Sequence, residues 1–136
     1  MRLLYSVPSL GFDESKGPPS FVFVTYQLPL ETVPYQFPED AGFFVTNGWL
    51  GQSGTYRQRI TILDPEGNLW LDTGEREIIL EQDDIPYMAV TFFQGLEFTD
   101  VGVYRIEVEL DDTPVLNYPY RVLLAELEID ANGEKS

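Results

Sequence analysis

The chain has 136 residues, 8 basic and 23 acidic, for a net charge of −15, and it has neither cysteine nor histidine. Such a charge repels nucleic acid and anionic membrane surfaces rather than steering them in. The missing residue types exclude disulfides, thiolate metal sites, a cysteine nucleophile, and the commonest general base and metal ligand.

The length fits one domain, which can bury about two-thirds of its unfolded surface. Eight Tyr, nine Phe and two Trp favour strands. The opening run, Met1 to Pro8, is too short and too soon broken by Pro8 to be a secretion signal, and no apolar stretch approaches transmembrane length. A soluble cytoplasmic protein is the expectation.

Residues 8–20, rich in Pro, Gly, Ser and charge, read as a loop. Phe21 to Leu28 is a strong strand signal. Pro29, Pro34 and Pro38 then make 29–40 an extended, edge-like connection. From residue 41 the rhythm is regular. Strand-like runs cover about 42–50, 55–63, 68–72, 75–81, 87–98, 101–110 and 114–124, separated by turn signals such as Asp64-Pro65-Glu66-Gly67-Asn68 and Asp111-Asp112. No sustained helical period occurs. The expected organisation is a single domain, 1–136: an extended segment 1–40 with one or two strands, a sandwich core 41–124, and an acidic tail 125–136 that frays.

Alternation sorts faces. Tyr104, Ile106, Val108 and Leu110 oppose Val103, Arg105, Glu107 and Glu109, and Tyr56, Ile60 and Ile62 oppose Arg57, Arg59 and Thr61. In 88–98, Met88, Val90, Phe92, Leu96 and Phe98 form the apolar side.

The stretch Asp100-Val101-Gly102-Val103-Tyr104-Arg105-Ile106 resembles the Asp-x-Gly-x-Tyr-x-Cys segment of immunoglobulin-like domains. The resemblance implies an antiparallel β-sandwich of seven to nine strands. It also implies a structural corner at Asp100, Gly102 and Tyr104, in which the Tyr104 hydroxyl bonds back to upstream backbone, with Ile106 standing where a disulfide cysteine would be. Residues 62–69 followed by Phe98, Gly102 and Tyr104 also resemble small uncharacterised bacterial domains of the same sandwich type, over roughly 42–124; no activity comes with that resemblance. Another antiparallel barrel or sandwich is the alternative.

No constellation points to catalysis. A Ser or Thr nucleophile needs a base, and the two lysines, Lys16 and Lys135, lie in loop and tail. Paired carboxylates are inevitable by chance among 23 acids, so they carry no signal for glycoside hydrolysis. Gly48, Gly51 and Gly54 lack the Lys-Ser/Thr of a phosphate loop. If the last seven strands follow immunoglobulin order, Asp83, Asp84, Asp111 and Asp112 gather at one end and could hold Ca²⁺, although Asp is also the ordinary way to turn a chain. The same order puts Arg57, Arg59, Arg105 and Arg121, half the basic residues, on one outer face. That face suits an acidic partner or anionic ligand, unless Glu107 and Glu109 pair with it. Trp49, Trp70, Tyr118 and Tyr120 could stack a sugar or fill the core. The expectation is a non-enzymatic interaction or structural module without cofactor, binding a protein through a sheet face or loop end, with homodimerisation open. A small-ligand binder for carbohydrate or calcium is the second reading.

Overall fold

The computed structural model describes residues 1–13 and 20–125; Lys16, Lys135 and the tail 126–136 lie outside them. The described chain is all-β, with twelve strands: β1 (Arg2–Asp13), β2 (Ser20–Val24), β3 (Gln27–Leu30), β4 (Tyr35–Gln36), β5 (Gly42–Leu50), β6 (Gly54–Leu63), β7 (Leu69–Asp72), β8 (Arg76–Leu80), β9 (Tyr87–Gln94), β10 (Glu97–Phe98), β11 (Gly102–Leu110) and β12 (Thr113–Leu124). One sheet has the order β2-β1-β5-β9. The other runs β3-β12-β11-β6-β7, with β8 also on β6, and β10 pairs β4 apart from both. Every pairing is antiparallel except β3 with β12.

The expectation of an antiparallel all-β fold holds, but there are more strands than the seven to nine expected, and the additional ones lie mainly before residue 41. Residues 2–13 form a long strand, not a loop from Pro8 onward. Pro8 is tolerated because its carbonyl accepts from Thr25 N at 3.2 Å, on the side away from β5. Its missing N–H therefore faces Thr25, just past the end of β2, and removes no bond from the β1–β5 ladder. The 87–98 run divides at Gly95, whose φ of +63° suits glycine and starts a turn.

The sheets share a core. Phe43 and Val45 of β5 and Phe93 of β9 meet Ile60, Ile62, Tyr104, Ile106, Tyr120 and Val122 of the other sheet. Phe43 stacks on Tyr120 with centroids 5.1 Å apart. A second cluster joins Trp49 and Ala89 to Ile78, Leu80, Val108 and Leu110.

One expected face is reversed. On β9 the buried side is Ala89, Thr91 and Phe93, and Phe92 is 38% exposed. The register explains it: Ala89, Thr91 and Phe93 stand opposite the buried Asn47, Val45 and Phe43. The alternation misleads because both sides of this strand are apolar, so the larger side chains do not mark the core.

Candidate functional site

β6, β11 and β12 are neighbours, and their inward positions (Gln58, Ile60, Ile62; Tyr104, Ile106, Val108; Tyr120, Val122) are all buried. By alternation Arg57, Arg59, Arg105 and Arg121 project from the opposite, outer face. The structure thus brings the four arginines onto one sheet surface, and it divides them in two.

On β6, Arg57 donates to Glu75 Oε2 at 3.0 Å and to Asp112 Oδ2 at 3.3 Å, with Asp111 Oδ1 at 3.8 Å. Its own N–H donates to Asp111 Oδ1 at 2.9 Å. Arg59 grips Asp72 with a two-pronged fork, Nε to Oδ1 at 2.9 Å and Nη2 to Oδ2, and Glu109 is its cross-strand neighbour. That fork, with a further bond from Gly74 N, draws the Asp72 carboxyl down to about 2 and raises the Arg59 guanidinium further.

On β11 and β12 the picture is different. Arg105 Nη1 donates to a neutral acceptor, Asn117 Oδ1, at 2.8 Å. Glu107 accepts from Thr61 Oγ1 at 3.3 Å, not from an arginine. Arg121 is exposed, and among the described residues its guanidinium has no carboxylate partner. Arg121 stands opposite Val103, and Arg105 opposite Pro119, so the two arginines are diagonal neighbours with backbones about 7–8 Å apart. Between them lies Val103, 49% exposed. Two cations thus flank an exposed aliphatic side chain, neither of them ion-paired to a carboxylate among the described residues.

The four aspartates do not assemble into a calcium site. Asp83 Oδ1 accepts from Ser53 N at 2.7 Å, and that bond lowers its pKa. Asp84 donates its N–H to Gly51 O at 2.8 Å. Asp111 and Asp112, with φ of 48° and 65°, form the two-residue turn between β11 and β12 and hold Arg57. Among the described residues no group of three or more acidic side chains is placed to hold a metal. Asp84, Asp111 and Asp112 occupy left-handed turn positions, which favour Asp, and Asp83 ties its turn to Ser53.

The corner forms. Tyr104 Oη donates to the Asp100 carbonyl at 2.9 Å, and burial, with the Asp100 and Asp64 charges, raises its pKa. Gly102 has φ +141°, and a Cβ there would lie 2.8 Å from the Pro65 ring, so the corner packs on the Asp64–Asn68 turn. Asp64 Oδ1 ties that turn by accepting from Glu66 N and Asn68 N, both at 2.9 Å. Ile106, in the cysteine's place, is fully buried.

The four aromatics singled out from the sequence are engaged with the core or with neighbours. Trp49 is fully buried, Trp70 packs on Phe98 and Tyr104 at 4.8 and 5.0 Å, Tyr120 is buried, and Tyr118 bonds Ser6 Oγ at 2.9 Å. What the sequence reading missed is Gln58, 1% exposed, whose Oε1 accepts from Trp49 Nε1 at 2.8 Å and Asn47 Nδ2 at 3.1 Å across the two sheets. Its position between Tyr56 and Ile60 on the inward parity was the signal.

Fold and face together define a cysteine-free, acidic, antiparallel β protein with a divided arginine surface. More particularly, the chain belongs to a family of unknown function, DUF6941, whose model matches residues 23–123. No curated protein matches it.

Proposed function

We propose that the chain is a non-enzymatic, immunoglobulin-like interaction module that presents the β11–β12 part of its larger sheet to an acidic macromolecular partner. The observation carrying this reading is the Arg105–Val103–Arg121 patch, two arginines without carboxylate partners in a molecule of net charge −15. Arginine suits bidentate recognition of carboxylates, and an adjoining exposed aliphatic adds area. The immunoglobulin-like assignment is supported by β1, β5 and β9 lying in one sheet and β6, β11 and β12 in the other, and by the Tyr104 corner.

Affinity capture from native lysate with three baits tests this reading. Partners held by wild type and by Arg57→Glu/Arg59→Glu, yet lost with Arg105→Glu/Arg121→Glu, are the expected result. Identical partners on all three baits would refute it.

A further inference from the structure

The smaller sheet ends on β9, and among the described residues no strand pairs its far edge. Which backbone groups face that edge follows from the ladder. Pro8 turns its carbonyl to Thr25, away from β5, so its partner Val45 turns its groups toward β9. Val45 pairs with Thr91, which leaves the N–H and C=O groups of Met88, Val90 and Phe92 pointing outward. One of them is used: Arg76 Nη1 donates to Val90 O at 3.1 Å. A carbonyl has a second lone pair, so this contact does not close the edge.

The strand Tyr87–Gln94 contains no charged residue, in a chain where 31 of 136 residues are charged (8 basic plus 23 acidic). Its outer side is also apolar. Phe92 stacks on Phe44 with centroids 4.4 Å apart, and Met88 and Val90 are half-buried. Past the strand's start lies a groove of about 390 Å³ in which Ile79, Ile85 and Tyr87 adjoin Glu81 and Gln82. Edge strands are usually blunted by Lys, Pro or inward-pointing charge, and none of these lies within β9.

We propose that the free edge of β9 is a strand-pairing site for a second copy of this chain, forming an antiparallel, two-fold-symmetric dimer centred on Val90. This inference is independent of the arginine face, which belongs to the other sheet. The strand is self-complementary about Val90. In that register Val90 meets its own copy as a hydrogen-bonded pair, and Met88 meets Phe92, a favourable sulfur–aromatic contact. In the pairing the outward backbone groups of the three residues find partners, with Arg76 bonded beside them to Val90 O, and two strands without a charge of their own meet where two copies of a −15 molecule otherwise repel. Association therefore strengthens with salt, opposite to binding of an acidic partner on Arg105 and Arg121.

Sedimentation of the full chain over a concentration series, at low and high salt, tests the dimer. Concentration-dependent doubling of mass, enhanced by salt and weakened about tenfold or more by Phe92→Lys, is expected. Phe92 is exposed, so the lysine does not disturb the core. Because the chain lacks cysteine, a single thiol reports the register. Hydrogen-bonded antiparallel pairs have Cα atoms about 5.5 Å apart, within disulfide range. Val90→Cys is expected to oxidise to a covalent dimer, and Val103→Cys on the opposite sheet is expected to stay monomeric. A wild type that remains monomeric at all salts, a dimer indifferent to Phe92→Lys, or equal cross-linking by both cysteines would overturn the proposal.

Discussion

Arg57 and Arg59 on β6 and Arg105 and Arg121 on β11 and β12 share a residue type, a sheet and a face, yet they differ in what surrounds them. The β6 pair sits beside strand ends where Asp72, Glu75, Asp111 and Asp112 terminate turns, and those carboxylates neutralise it. The β11–β12 pair sits toward the open end of its hairpin, away from the Asp111–Asp112 turn, and meets Asn117, Val103 and Pro119 instead. Alternation along a strand decides which side an arginine takes. The loops at the strand's end decide whether its charge remains available.

The comparison can be broken from beneath. Gln58 holds β6 to the other sheet through Trp49 and Asn47. Gln58→Ala strands two buried donors and leaves a cavity, so a loss of about 3 kcal/mol in denaturant unfolding is expected, against about 1 kcal/mol or less for any outer arginine. A loss no larger than that of Arg57→Ala would mean that β6 is held by its surface. Next in size is binding. Reversing Arg105 and Arg121 should weaken an acidic polypeptide probe at least about tenfold, near 1.4 kcal/mol, with Arg57 and Arg59 reversal neutral to within a factor of about two. A corner substitution remote from both pairs gives the baseline: Tyr104→Phe removes the bond to the Asp100 carbonyl, should cost about 1 kcal/mol in thermal or denaturant unfolding, and should leave probe binding unchanged.

The smallest effect concerns Asp72. Its carboxyl is held at about 2, below the usual carboxylate range, by the Arg59 fork first and the Gly74 N–H second. A depressed folded-state pKa gives stability that is full above the unfolded value near 4 and disappears as pH falls through about 2. The pair is solvent-accessible, so the effect is small, and smaller still in high salt. Asp72→Asn should flatten that acid limb in unfolding midpoints measured across the same range. It should also free Arg59 and raise probe binding slightly, extending the available half of the face.

Much of this was legible in the sequence. The runs over 55–63 and 101–110 alternate cleanly between apolar and charged residues, so β6 and β11 fall where expected, and the corner follows from Asp100, Gly102 and Tyr104. What escaped has physical causes. β1 hides behind a Pro and Gly composition that reads as loop, because a proline whose missing N–H points away from β5 costs the β1–β5 ladder nothing. β9 is apolar on both sides, so period-two reasoning has no contrast to use. The aspartates at 83, 84, 111 and 112 were grouped by the end of the fold they share, but they bond to separate places: Asp83 and Asp84 to Ser53 and Gly51 in the β5–β6 turn, and Asp111 and Asp112 to Arg57 on β6. Gln58 lies on the inward side between Tyr56 and Ile60, where the sequence reading named only apolar residues, and it links the two sheets within the core.

The most direct test of the divided face is a titration of fluorescent poly-glutamate against wild type, Arg57→Glu/Arg59→Glu and Arg105→Glu/Arg121→Glu at two salt concentrations. The account predicts salt-sensitive binding by wild type and the first variant, and loss of binding by the second. Equal weakening by both variants, or no binding by any of the three, would contradict it.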